Sequence, residues 1–428
     1  MLFLIFFLFS CNNPKDIDSE NSTYSKDEKS RVVSERSSSA VKSESKNVKE
    51  FGVMGDGMTD DTETLRTAFS KSSNLYFPKG SYILTEQIIL KEADTVLTGE
   101  KDAENKPLAV FEITKDVTLF DASKINGLTL DGLYFKKTLA ENSSTVAIVI
   151  EGGENVTVKN CEVSGYSARA GLDFRRIKKF EITDNYLHDF SSSHAGLLPD
   201  TNQLVDSLAI FVQFSSDGLI ARNVVKDIII RDPLLSVNRY QSDGITLSNC
   251  ENVLVEDNEI TNVGDGMDFV RCSKITIRNN RLLNCHHVGF KLVHATQDSI
   301  AENNYIENAT MVGIGISGGS PATKMITTRN IIRNNTIVNV GGMNIFNYSF
   351  YFAGIALDIG YAPTEEFTPE CTGNIIEYNT IIDNQAKPTT AYGIFETESA
   401  EGNTFRKNKF IGNIGNKIVV SSESIVEE

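Results

Sequence analysis

Ser242-Asp-Gly-Ile-Thr-Leu247, Gly264-Asp-Gly-Met-Asp-Phe269 and Val288-Gly-Phe-Lys-Leu292 are three versions of one pattern, a glycine followed by an apolar/polar/apolar triplet. The glycines at 244, 266 and 289 stand 22 and 23 residues apart (266 − 244, 289 − 266). Strict alternation after each glycine reads as a short strand with one buried face. A repeat of roughly 20–30 residues belongs to a solenoid, in which each repeat is one coil stacked on the last.

A second marker carries the register outward. Asn followed two positions later by an apolar residue recurs at Asn185, Asn223, Asn258, Asn280, Asn304, Asn335, Asn379 and Asn408, and Cys161 occupies the same slot. Asn tolerates the left-handed backbone of a tight corner and can hydrogen-bond a stacked copy of itself. The expected fold is all-β, a single-stranded parallel β-helix. The intervals between markers, from 22 (280 − 258) to 44 (379 − 335), leave room for loops near residues 191–206, 231–240, 317–324 and 341–369. Such loops carry binding residues on a rigid scaffold. Coils 243–292 then form the floor of a groove, with Tyr240, Phe350, Tyr351 and Tyr361 as aromatic platforms in its walls.

The rest of the chain fits one domain over 49–428, because a solenoid lengthens by adding coils to one core. A hydrophobic content of 40%, no Trp and a net charge of −16 describe an acidic protein and argue against nucleic acid as a partner. Cys161, Cys250, Cys272, Cys285 and Cys371 lack the paired spacings of zinc sites. Cys250 and Cys272 lie one coil apart, where an exported protein could form a disulfide, but the preferred reading for all five is buried thiols. Phe51 to Phe69 passes from a glycine-rich turn into a helix, with Asp60, Asp61 and Thr62 as capping candidates and Leu65, Ala68 and Phe69 on one face. Such a helix closes the open end of the first coil.

Met1 to Ser10 is apolar and ends at Cys11, too short for a mature membrane span and suited to export. The arrangement resembles a bacterial lipoprotein signal over residues 1–11, which implies that Cys11 becomes an acylated anchor. Residues 12–48 are rich in Ser, Lys, Glu and Asp and are expected to be an unfolded tether. The implied location is the cell envelope, held to a membrane by lipid, or the exterior.

Gly55-Asp-Gly-Met-Thr-Asp-Asp-Thr62 and Phe77-Pro-Lys-Gly-Ser-Tyr82 resemble the opening coils of the pectate-lyase-like right-handed parallel β-helix superfamily. The resemblance implies the fold and leaves hydrolysis, elimination and epimerisation open.

Aligning coils on Gly171, Gly244, Gly266, Gly289 and Gly313 stacks Asp173, Thr246, Asp268, Lys291 and Gly315 at one outward position. Asp243 and Asp265 stack just before their glycines, with His286 and His287 beside them. Coils lie about 4.8 Å apart, so carboxylates at that spacing repel and one is easier to protonate. An acid/base pair follows.

Gln241-Ser-Asp-Gly244, Gly264-Asp-Gly266 and Cys285-His-His-Val-Gly289 resemble the site of polygalacturonase-type (family 28) glycoside hydrolases. This implies hydrolysis of a uronic-acid polysaccharide, with Asp243 or Asp265 as base on water and Asp268 as acid, and His287 and Lys291 completing the catalytic set. Gly264 replaces an expected aspartate, His287 falls one position early, and no Arg-x-Lys follows near Lys324. The alternative enzyme reading is a lyase or C5-epimerase in which Lys291 is the base, Asp265 and Asp268 hold calcium, and Arg271 clamps a carboxylate. Otherwise no cofactor is expected. A third reading is a non-catalytic glycan-binding surface protein using the same groove. In each, His286, Arg271, Asp173 and Tyr240 are expected to touch the glycan. Arg175-Arg-Ile-Lys-Lys179 is a basic cluster near the floor, and Glu396 and Glu398 read as surface charge.

Overall fold

The computed structural model describes residues 44–115, 117–137, 146–165, 169–192, 207–230, 242–318, 326–342, 352–357, 371–397 and 400–427. Cys11, most of the tether, the wall aromatics Tyr240, Phe350, Tyr351 and Tyr361, and Glu398 lie outside the described residues.

Every rung between named strands is parallel, and the strands form a right-handed β-helix with three faces. One face runs through Ser207–Gln213, Ile245–Ser248, Met267–Val270, Val288–Val293 and Val312–Ser317. A second runs through Ser216–Ala221, Glu251–Glu256, Thr276–Arg278, Ile300–Glu302 and Ile331–Arg333. A third runs through Val224–Ile230, Glu259–Val263, Arg281–Cys285 and Tyr305–Glu307. Alternate side chains of all three point inward and form one continuous apolar core, which includes Cys161, Cys250, Cys272, Cys285 and Cys371 as free thiols. Burial of apolar surface along the whole axis supplies the main driving force.

The Asn marker is a hydrogen-bonded ladder. Asn258 donates its backbone N–H and Nδ2 to Oδ1 of Asn280 at 3.0 and 2.9 Å, and Asn280 repeats this on Asn304 at 3.0 Å for both. The left-handed residue is the one before each ladder Asn, as at Asp257, Asn279 and Asn303, with φ of 56, 56 and 58°. The tight bend is thus made ahead of the ladder, which frees the Asn amide to face inward. A second ladder at another corner, Ser299, Asn330, Asn374, Asn403 and Ser424, has no counterpart in the sequence reading.

On the second face one outward column alternates in sign through Glu256, Arg278, Glu302, Arg333, Glu377, Arg406 and Glu427. Arg278, Arg333 and Arg406 bond Glu256, Glu302 and Glu377 at 2.7, 2.7 and 2.6 Å. Like charges directly opposite each other on neighbouring strands destabilise a sheet. Arg333→Glu, which puts three acids in succession, should lower stability by about 1 kcal/mol, and by more at low salt. Urea denaturation at two ionic strengths checks this, and a salt-independent change would remove the column as its cause.

The helix Thr62–Lys71 covers the first coil with Leu65 and Ala68 buried. Asp60 Oδ1 accepts from Thr62 N–H at 3.0 Å, whereas Asp61 accepts from the N–H groups of Met54 and Gly55. Two placements differ from expectation. The strand Lys46–Asn47 pairs with Leu75 and Tyr76, and Val48 is fully buried, so the β-helix takes in the last residues assigned to the tether. Glu396 is buried, accepting from Asn403 Nδ2 and Ser421 N–H at 2.6 and 2.9 Å, and is a corner partner rather than surface charge.

Candidate functional site

Two outward columns on the first face carry the chemistry. One passes Leu208, Asp243, Asp265, Val288 and Val312, and the other passes Phe211, Thr246, Asp268, Lys291, Gly315 and Ala356. From Gly244 to Gly313 glycine is needed between them because coils approach closely there: a Cβ on Gly266 would lie 2.2 Å from the carbonyl oxygen of Gly289. The spacing of the glycines therefore sets which outward residues meet.

Asp243, Asp265 and Asp268 come together, with one oxygen of each within 4.8 Å of the others. Asp265 Oδ2 accepts from Lys291 Nζ at 2.6 Å, while Oδ1 accepts from His287 Nδ1 at 2.6 Å and from the Val288 N–H at 3.1 Å. Lys291 Nζ also lies 3.2 Å from Asp268 Oδ2, and Thr246 Oγ1 donates to Asp243 Oδ2 at 2.8 Å. All three aspartates are buried, and Oδ1 of Asp243 and Oδ1 of Asp268 have no hydrogen-bond partner among the described residues. Side chains of His287 and Lys291 keep 19% and 12% of their exposure and connect the cluster to the surface.

The environments split the three acids. Burial works to raise Asp265, but the Lys291 ammonium and the His287 imidazole outweigh it and bring it down to about 2. Burial raises Asp268 to about 6 against the pull of Lys291. Burial and then the Asp265 charge hold Asp243 well above the usual carboxylate range. Lys291, despite burial, is held above its ordinary value by Asp265, Asp268 and Asp243 in that order. An ionised Asp265 can only accept, so its bond to His287 fixes the proton on Nδ1.

Asp265 spends both oxygens on partners and positions His287 and Lys291. Lys291 Nζ is shared between Asp265 and Asp268. Asp173 is three coils from Asp268, because the strand Ser207–Gln213 places Phe211 between Asp173 and Thr246. It is bonded by Arg175. His286 Nε2 bonds Asn262 Oδ1 at 2.5 Å, with its basicity reduced by burial, and does not join the aspartates. Arg271 lies beyond the strand Met267–Val270 in a left-handed corner (φ 53°), off both columns. Arg176 of the basic cluster bonds Glu151 at 2.6 Å. Thr246, which the sequence placed in the column without a role, proves to orient Asp243.

A cation fits poorly among the three carboxylates. The Lys291 ammonium already lies between Asp265 and Asp268, so calcium would have to expel it. An all-carboxylate set is equally unsuited to copper, which favours imidazole and sulfur donors; the described cysteines are enclosed in the core.

Sequence comparison matches residues 45–291 to a family described as rhamnogalacturonase A/epimerase, pectate lyase-like, and residues 202–426 to NosD, a periplasmic copper-binding protein. The plasmin and fibronectin-binding protein A of Streptococcus pneumoniae is 28% identical over 174 residues, 33% of this chain and 23% of that protein. The chain spans about a quarter of the length of the curated relatives it matches. Among solved structures, the catalytic domain of a GH87 α-1,3-glucanase in complex with nigerose superposes with a TM-score of 0.60 at 15% identity, covering 87% of this chain and 67% of that one. The A-module of the Azotobacter vinelandii mannuronan C-5 epimerase AlgE6 superposes with 0.54 at 13% identity, covering 89% and 99%. At these identities the structural likenesses speak for the fold.

Proposed function

Because the chain belongs to the rhamnogalacturonase A/epimerase, pectate-lyase-like family, and over its C-terminal half also to the NosD family, we propose that it hydrolyses a polysaccharide outside the cytoplasm through Asp243 and Asp268. The observation that carries this reading is the pair of buried carboxyl groups with unpartnered Oδ1 atoms. One has its pKa at about 6 and the other is held well above the carboxylate range. Above pH 6 such a pair holds one proton, which makes one member an acid and the other a base. Asp243 donates its proton to the glycosidic oxygen as the bond to the anomeric carbon breaks, and Asp268 takes a proton from the incoming water. Asp265 keeps Lys291 and His287 in place beside them. A lipid anchor at Cys11 would hold the enzyme at a membrane surface.

Elimination is disfavoured because Lys291 is committed as a cation. Non-catalytic glycan binding is the second reading; the streptococcal relative, named for binding plasmin and fibronectin, favours a binding role without pointing to a glycan. Incubation of purified protein with a panel of neutral and uronate polysaccharides separates the readings. Hydrolysis gives new reducing ends with no rise in the ultraviolet absorbance of an unsaturated uronate; elimination gives both. Binding with neither signal would leave the adhesin-like reading standing. Activity should rise as pH increases through about 6, where Asp268 ionises while Asp243 keeps its proton. A rate that falls across that point would mean that the ionised form of Asp268 is not the active one, and would remove it as the base.

A further inference from the structure

We infer that this face is built for an uncharged glycan and discriminates against polyuronates, contrary to the expectation drawn from the polygalacturonase-like spacing. The inference rests on the cluster being a glycan site, and it concerns which glycan. Three carboxyl groups share one ammonium here, and Lys291 is already divided between Asp265 and Asp268. The rungs on either side are apolar, with Leu208 and Phe211 before the cluster and Val312 and Ala356 after it. Among the described residues of the two columns from Leu208 to Ala356, Lys291 is therefore the sole cation. Arg175 lies on an earlier coil and is bonded to Asp173.

The unpartnered Oδ1 atoms of Asp243 and Asp268 point to the same class. Both are buried acceptors when ionised, and one can donate when protonated, so they match sugar hydroxyls, which both donate and accept. A uronate carboxylate would add a further acceptor and a further negative charge to a cluster that already has an excess of both. Like-charge juxtaposition across an interface suppresses the wrong partner, and the net charge of −16 slows the approach of a polyanion from a distance.

The test uses polymers of one linkage that differ only in charge: polygalacturonate and alginate, each beside its carboxyl-reduced, uncharged counterpart, with neutral glucans, mannan and xylan in addition. Binding by the full chain is measured by affinity electrophoresis and calorimetry at low and high sodium chloride, with reducing ends followed in parallel. The expected result is at least tenfold tighter binding of an uncharged polymer than of either polyuronate, insensitive to salt, with any residual polyuronate binding strengthened by salt. Polyuronate binding that is tighter and weakened by salt overturns the inference, as does binding of none of the uncharged polymers. Release of reducing ends from polyuronate alone would sink the inference and keep hydrolysis. Tight neutral binding with no release would do the reverse.

Discussion

Asp268→Asn is expected to reduce turnover by about a thousandfold, since a positioned acid or base contributes roughly 10²–10⁴ in rate. The fold should not suffer. The amide is nearly isosteric, and Lys291 keeps its 2.6 Å contact with Asp265. Linkage gives the sign of the stability effect. Asp268 has a folded pKa of about 6, above its ordinary 3.8, so its contribution to stability is greatest below the ordinary value and is lost as pH rises through about 6. The amide removes that loss, and the variant should unfold at the same or a higher urea concentration than the parent at pH 8. A thousandfold loss of rate with an unchanged urea midpoint places Asp268 at the reacting atoms. A lowered midpoint, or a rate within tenfold of the parent, would make it a structural member of the cluster.

Asn280→Ala is expected to cost about 3–5 kcal/mol in unfolding free energy, the second large effect. Asn280 is 1% exposed and takes part in four side-chain bonds, from Asn258 N–H and Nδ2 and to Val255 O and Asn304 Oδ1. Alanine leaves several buried polar groups without partners, each worth roughly 1–3 kcal/mol when stranded. Asn408, the half-buried last rung, bonds Ile376 O and accepts from Asn379, and Asn408→Ala should cost less than half as much. Equal losses at the two positions in urea titrations would mean that the ladder stabilises locally rather than through stacked burial.

The periodic parts of the structure were legible because they obey one spacing. The ladder from Cys161 to Asn408 follows from Asn recurring ahead of alternating residues, and the stacking of Thr246, Asp268 and Lys291 follows from glycines 22 and 23 residues apart. Reading by glycine failed at one coil, where Ala209 fills the slot. The signal was present: Gly244 and Gly266 each precede a ladder Asn by 14 (258 − 244, 280 − 266), and 14 before Asn223 is 209. That omission drew Asp173 too close to the site. The acid/base roles proposed for Asp243 and Asp268 rest on what burial and Lys291 do to three like groups, which spacing does not carry. Spacing reveals which carboxyl groups meet but not which of them keeps its proton. His286 shows the same limit, since adjacent histidines take different partners, Asn262 and Asp265.

The alternating acid–base column from Glu256 to Glu427 also constrains how a protein of this kind can change length. Duplicating or deleting a single repeat inside it would bring glutamate onto glutamate or arginine onto arginine at the junction, whereas two repeats at once preserve the alternation. Viable insertions and losses in this half of the molecule should therefore come in even numbers, a parity rule on the evolution of its length.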